Sequence, residues 1–142
     1  DVCNSAALDI GGGSYLLVLR LDGPARVRVG AKGVFHFPAG WYVYAGSAKR
    51  GLSARIERHL RSKKKMRWHI DYLLRRATIR DVLVFKDRGE CELATFVLER
   101  GGRIIVPRFG SSDCRCAAHL FYFRHSPRIV MPAGGALLRP YT

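Results

Sequence analysis

The chain has 142 residues, with 25 Lys plus Arg against 11 Asp plus Glu, a formal net charge of +14. That length fits one domain, 1–142, able to bury a sizeable core, and an apolar content of 48% is too high for a disordered chain. The longest purely apolar runs, such as Tyr15 to Leu19, are far too short to span a bilayer, so no membrane role is expected, and the charge points to a polyanionic partner.

The elements follow from periodicity. Residues Tyr15 to Arg20 follow Gly11, Gly12 and Gly13 and read as a strand. Leu21-Asp22-Gly23-Pro24 is a turn. Arg26, Val27, Arg28 and Val29 alternate polar and apolar, the pattern of a half-buried strand. After a turn at Gly30 to Gly33, Val34 to Phe37 is a third strand and Trp41 to Ala45 a fourth. Such spacing predicts an antiparallel meander. Leu52, Ile56 and Leu60 then recur every four residues, so Leu52 to Ser62 is an amphipathic helix with Arg55, Arg58, His59 and Ser62 on its polar side. Arg61 to Arg67 is a basic connector, and Trp68 to Arg76 a second helix. Ile79 to Phe85 is a buried strand, and Glu90 to Arg100 a third helix ended by Gly101-Gly102. Ile104 to Val106 and His119 to Phe123 read as strands, Phe109 to Cys116 as a polar loop, and the segment from Pro132 as a loose tail. The predicted class is α+β, a small, mainly antiparallel sheet flanked by helices.

The positive charge is concentrated. Between Gly46 and Arg80, Lys49, Arg50, Arg58, Arg61, Lys63, Lys64, Lys65 and Arg67 face only Glu57 and Asp71, with Trp68 and His69 interleaved. Such a block repels itself until a phosphate backbone neutralises it. We expect Arg58, Lys63, Lys64, Lys65, Arg67, Trp68 and His69 to contact nucleic acid; a solvated basic face is the plainer alternative.

Two short motifs stand on the strands: Gly13-Ser14-Tyr15 opening the first, and Tyr44-Ala45-Gly46-Ser47 closing the fourth. Arg55 and His59 follow one helical turn apart. With the runs Arg-Ile-Glu-Arg-His-Leu, Trp-His-Ile-Asp-Tyr-Leu, Glu-Cys-Glu-Leu-Ala and Phe-Gly-Ser-Ser-Asp-Cys-Arg-Cys, the sequence from Gly13 to Phe123 resembles the GIY-YIG nuclease superfamily in its Uri-type branch. The resemblance implies a GIY-YIG-like core over about 13–123, with 124–142 a C-terminal extension. It also implies an endonuclease acting on DNA, related to DNA repair, with Tyr15, Tyr44, Arg55, His59 and Glu90 as catalytic residues. Glu90 would be the metal ligand, holding Mg²⁺ or Mn²⁺. Uri-type proteins are sometimes fused to endonuclease III-like DNA glycosylases, which implies a glycosylase or other repair partner and a cytoplasmic, nucleoid-associated location. The chemistry suits these residue types. Phosphodiester hydrolysis needs an activated water, a cation on the phosphoryl oxygens and leaving-group stabilisation. Nearby cations are expected to favour phenolate at the tyrosines, and the Arg55 guanidinium can fork onto phosphate. Glu92, two residues beyond Glu90, is expected to face away from the site.

Each of these residues has a plainer explanation: tyrosines in a strand core, a surface Arg55, a solvated His59, and a Glu90 that complements a helix dipole. It is their joint occurrence, in order, that points to a catalytic pocket. Two departures from the family pattern stand out. The interval from Gly13 to Tyr44 is long, so an inserted segment through Arg26 to Phe37 is expected. The family's late asparagine is also missing. The sequence's sole asparagine is Asn4, and Ser111, Ser112 and Asp113 stand where it would fall, which makes Asp113 a candidate second ligand or hydrogen-bond substitute.

Cys114-x-Cys116-x-x-His119, with Cys91 as a fourth ligand, suits structural Zn²⁺. Its spacing is tighter than the usual Cys-x2-Cys, and small buried cysteines are the commoner explanation; a Cys91–Cys116 contact or disulfide is a third. Four cysteines, counting Cys3, are too few for a secreted disulfide scaffold of this size. No basic-then-apolar leader opens the sequence, so no signal peptide is expected. Two other functions compete with hydrolysis. Lys49, in the loop after Tyr44, could form a Schiff base with an abasic sugar and act as a metal-independent lyase. Alternatively the domain is a non-catalytic DNA-binding module. Oligomeric state and the preferred DNA structure are not legible in the sequence.

Overall fold

The computed structural model describes residues 12–86, 88–111, 114–127 and 136–138. The elements in order are β1 (Gly13–Leu21), β2 (Ala25–Val29), a one-turn 3-10 helix (Gly30–Lys32), β3 (Gly33–Phe37), β4 (Gly40–Ala48), α1 (Leu52–Leu60), α2 (His69–Leu73), β5 (Thr78–Phe85), α3 (Glu90–Glu99), β6 (Leu120–Phe123) and β7 (Ala136–Leu138). The class is α+β, as expected. Five strands form one antiparallel sheet in the order β6-β4-β1-β5-β7, and β2 and β3 form a separate hairpin.

The expected continuous meander is therefore not what forms. β1 pairs along its whole length with β4, from Gly13↔Ala48 to Leu21↔Gly40, and the β2–β3 hairpin leaves the sheet. The reason lies in the side chains. β1 is apolar at nearly every position and buried on both faces, so it belongs at the centre of a sheet covered on both sides. In β2, Arg26 and Arg28 are exposed and only alternate residues are buried, so one face must meet water. The hairpin instead packs against α2.

Alternation along β1 divides the core. Tyr15, Leu17 and Leu19 join Tyr44, Leu52, Ile56, Ile70 and Phe109 on one face, which α1, α2 and the hairpin cover. Leu16 points the other way, with Val43, Ala45 and Phe121, against Leu93, Ala94 and Val97 of α3. Each such fully buried side chain contributes about 1.5–3 kcal/mol.

Three further expectations change. The second helix is only His69–Leu73, because Arg76 and Ala77 both turn their N–H onto the Leu73 carbonyl and close it. Ile104 to Val106 is not a strand; Arg103 alone makes an isolated bridge to Tyr122. In the segment expected to be a loose tail, Ala136–Leu138 pairs with Val82–Val84 at the β5 edge. Gly and Pro around it masked a short apolar run that an open sheet edge can recruit. Cys3, Asn4, Ser112 and Asp113 lie outside the described residues. Among the described residues no helix is long and apolar enough to cross a membrane.

Candidate functional site

A cleft of about 500 Å³ opens at the end of the β1–β4 pair, lined by Tyr15, Tyr44, Ser47, Lys49, Arg50, Arg55, Arg67, Trp68, Glu90 and Gly110 among others. Antiparallel register builds it. Tyr15 stands opposite Gly46 and Leu17 opposite Tyr44, so the two tyrosines share a face two steps apart. Gly46 is required there. A Cβ on it would lie 2.5 Å from both Cζ and the hydroxyl oxygen of Tyr15, which crosses directly over it. Gly46→Ala is therefore expected to displace Tyr15 and to lower stability by about 1–3 kcal/mol, readable in a thermal melt; an unchanged melting temperature would contradict this seat.

Arg55 rises from α1, donates from Nη1 to the Ser47 carbonyl at 2.8 Å and lies over the Trp68 ring at 4.6 Å. Arg58 and Arg67 lie over the same ring at 4.3 and 5.1 Å. Cation–π contact explains why three guanidinium groups tolerate this crowding.

The second reason is Asp71, which the sequence marks only as one of two acids, with Glu57, in a basic block. Its carboxylate is 0% exposed, forks with Arg58 at 3.0 Å on each oxygen, and accepts the backbone N–H groups of Arg67 and Trp68. Burial works against its ionisation, but Arg58 and the two N–H groups hold its carboxyl below the usual range. Arg58, expected to meet phosphate, is thus committed to Asp71. Lys64 is likewise turned inward, donating to the carbonyls of Arg58 and His59. His69 accepts the Gly110 N–H and packs on Phe109. Lys63, Lys65 and Arg67 remain exposed, with Lys49 and Arg50 at the cleft.

His59 is not on the polar side of α1. It is 2% exposed, and its Nε2 lies 2.7 Å from the Tyr15 hydroxyl, the partner that makes its burial affordable. Burial, with Lys64, Arg58 and Arg55 close by and only Asp71 opposing, pushes its pKa down to about 3. Burial also drives both tyrosine hydroxyls above their ordinary range, more strongly than Arg55 lowers them. The expected phenolate is therefore not formed: desolvation outweighs the neighbouring cation. Tyr15 and Tyr44 are O–H donors, and His59 is a neutral ring that orients Tyr15. Because His59 stays uncharged, it is expected to contribute no inflection near pH 6.5, where an ordinary histidine titrates, to a catalytic pH profile; an inflection there that is lost in His59→Gln would show that His59 charges in the working site.

Glu90 opens α3, where a carboxylate complements the helix N-terminus, and reaches the cleft. Ser47 donates its hydroxyl to Oε1, and His119 Nδ1 sits 2.9 Å from Oε2, close though not well aligned as a hydrogen bond. Burial opposes its charge, but His119, Ser47 and Arg55 hold its carboxyl below the usual range, so it is ionised at neutral pH. Glu92 does not line the cleft, as expected, and instead pairs with Arg88. Ser47 and His119 were not among the expected catalytic residues; both are recognisable only once β4, α3 and β6 are assembled.

Behind Glu90, one donor atom each from Cys91, Cys114, Cys116 and His119 lies within 4.8 Å of all the others, a set that could hold a metal ion. The cleft and this cluster both fall within residues 14–133, which match the model of the domain of unknown function DUF123. The chain belongs to this family. No curated protein and no solved structure matches it. In this DUF123 domain, then, the expected catalytic positions Tyr15, Tyr44, Arg55 and Glu90, together with Lys49, share one cleft, and His59 lies immediately behind it.

Proposed function

We propose that this DUF123 domain is a GIY-YIG-type endonuclease that hydrolyses the DNA backbone. The observation that carries this reading is the convergence of two protonated tyrosines, Arg55 and the ionised Glu90 on a single cleft with a basic rim. Arg55, held over the Trp68 ring, lies on the cleft wall where its guanidinium can meet a phosphoryl oxygen and stabilise growing negative charge. With His59 donating its Nε2–H to the Tyr15 oxygen, the Tyr15 proton is left to donate to a second phosphoryl oxygen, and Tyr44 donates to a third or to the leaving group. Lys49, Arg50 and Arg67 hold the flanking phosphates.

We further propose that a divalent ion binds beside Glu90, taking a carboxylate oxygen in place of its present Ser47 or His119 contact. Magnesium is commonly held by one or two carboxylates completed by water and substrate phosphate, and Glu90 is an ionised carboxylate on the cleft wall. Mg²⁺ or Mn²⁺ bound there would lower the pKa of a coordinated water, supplying the base that neither tyrosine nor His59 provides. A supercoiled-plasmid nicking assay with added Mg²⁺ or Mn²⁺ tests the reading. Nicking abolished by chelator supports it; salt-sensitive binding without cleavage under any divalent ion would replace it with a DNA-binding module.

One observation favours a second chemistry. Lys49 is exposed and lines the same cleft, where its amine could attack the aldehyde of an abasic sugar. Borohydride trapping on an abasic oligonucleotide separates the two: a trapped adduct, with cleavage persisting in chelator, establishes the lyase.

A further inference from the structure

We propose that Cys91, Cys114, Cys116 and His119 bind one zinc ion in tetrahedral geometry, and that the ion, through His119, fixes Glu90 on the wall of the cleft. The donor set is three thiols and an imidazole, a Cys3His combination common in closed structural zinc sites. Soft thiolate ligands select zinc over magnesium or calcium.

The spacings fit. With Zn–S near 2.3 Å, ligand atoms at the corners of a tetrahedron stand about 3.5–3.8 Å apart. His119 Nε2 lies 3.4 Å from Cys114 Sγ and 3.9 Å from Cys91 Sγ, and no pair in the set exceeds 4.8 Å. Metal binding therefore asks for little movement.

The loop is built to present these atoms. Arg108 adopts φ 64°, a left-handed conformation that costs a non-glycine residue about 1–2 kcal/mol. Its guanidinium donates to the carbonyls of Ser111, Cys114 and Cys116, and its own N–H to Ala117. One side chain thus ties down the segment carrying two of the thiols. It also brings positive charge to a site that, with three thiolates on Zn²⁺, carries a net negative one. His119 is anchored separately: its N–H bonds Phe109, and its carbonyl accepts the N–H of Ala45 in β4. Cys91 comes from the first turn of α3, so the ion would join that helix to the loop preceding β6.

The imidazole faces two ways. Nε2 points at the thiols and Nδ1 at Glu90. A metal on Nε2 places the ring proton on Nδ1, which then donates to the carboxylate, the usual outer partner of a zinc-bound histidine. Glu90 holds Ser47 with its other oxygen, and the Ser47 carbonyl holds Arg55. These contacts run from the thiols to the cleft, and the 2.9 Å approach of Nδ1 to Oε2 is the one that the bound metal would turn into a hydrogen bond. Glu90 is the positioning residue at the centre of these contacts.

Metal analysis of the reduced, purified chain tests the site without reference to any catalytic activity. One zinc per chain is expected, and cobalt(II) added to metal-free protein should give the visible bands and thiolate charge transfer of a tetrahedral sulfur-rich site. Cys114→Ser and Cys116→Ser should each lose the zinc. Glu90→Gln should keep the cobalt spectrum but release zinc to a competing chelator with an affinity lowered about tenfold or more. Iron in place of zinc, a disulfide among the three thiols, or under a tenth of an equivalent of zinc with no cobalt bands would overturn the site. An unchanged affinity in Glu90→Gln would overturn its link to the cleft. The cobalt titration uses the unaltered chain, so a variant that fails to fold leaves the test intact. A chain that holds zinc but never cuts DNA would refute only the nuclease reading.

Discussion

Arg55→Ala is expected to reduce DNA nicking by about 10²–10³-fold, the usual loss when one positioned donor to a developing oxyanion is removed. Binding should fall far less, because Lys49, Arg50 and Arg67 still line the cleft and neutralise the flanking phosphates. The separation between the two effects is the informative part. Arg55 is fixed twice, by the Ser47 carbonyl and by the Trp68 face, so its remaining N–H groups have little freedom to lose when substrate arrives. Arg55→Lys should recover little activity, since an ammonium cannot reproduce the planar fork or the stacked contact. Single-turnover nicking alongside a gel-shift titration reads both quantities. A variant that cuts within threefold of the parent chain would remove Arg55 from the chemistry.

Asp71→Asn is expected to cost about 3 kcal/mol of stability, the low end for breaking a buried ion pair, because Arg58 keeps some contact with water. For a domain of this size that is a fall of about 10 °C in melting temperature. Arg58→Ala should cost more, since it leaves a carboxylate of 0% exposure without its cation. The pH dependence has a definite sign. Asp71 is held below its ordinary pKa in the folded state, so the unfolded chain binds more protons in acid. Its contribution is complete above the ordinary carboxylate value, near pH 4, and is lost as the pH falls further. His59 adds a second loss over a higher window. Buried and neutral, it is held at about 3, whereas an unfolded histidine begins to take up a proton near pH 6.5. Denaturant melts at a series of pH values should show stability declining below pH 6.5 and more steeply below 4, the steeper arm being reduced in Asp71→Asn. A melting temperature within 2 °C of the parent would show that the Asp71 network is not structural.

Much of the scaffold was legible along the chain, and the reasons are physical. β1 to β5 announce themselves by continuous or alternating apolar residues, and α1 by Leu52, Ile56 and Leu60 on one stripe. Tyr15, Tyr44 and Arg55 stand out through the resemblance of their motifs to the GIY-YIG superfamily; spacing alone would read them as two strand tyrosines and a surface arginine. What stayed hidden depends on partners distant in sequence. A histidine four residues after an arginine reads as a solvated neighbour; only Tyr15, arriving from β1, makes His59 a buried one. Asp71 reads as a stray acid until Arg58 and two backbone N–H groups converge on it. The basic block reads as uniform, yet Arg58 and Lys64 face inward while Lys63 and Lys65 face water. Glu90 and His119, on α3 and beside β6, meet only after the sheet has closed.

The strand order β6-β4-β1-β5-β7 carries a temporal consequence. The central strand of the sheet is the earliest of the described strands, and both of its neighbours come later. As the chain emerges from a ribosome, β1 must wait exposed, apolar on both faces, until β4 and then β5 arrive. Pairings of such long separation are slow to close and vulnerable to association in the interval. The tyrosines come into register with the first of these pairings, Arg55 follows, and Glu90 and His119 take their places near the end. The cleft is thus among the last parts of the molecule to be completed, because Glu90 and His119 reach it only when α3 and the segment before β6 are in place.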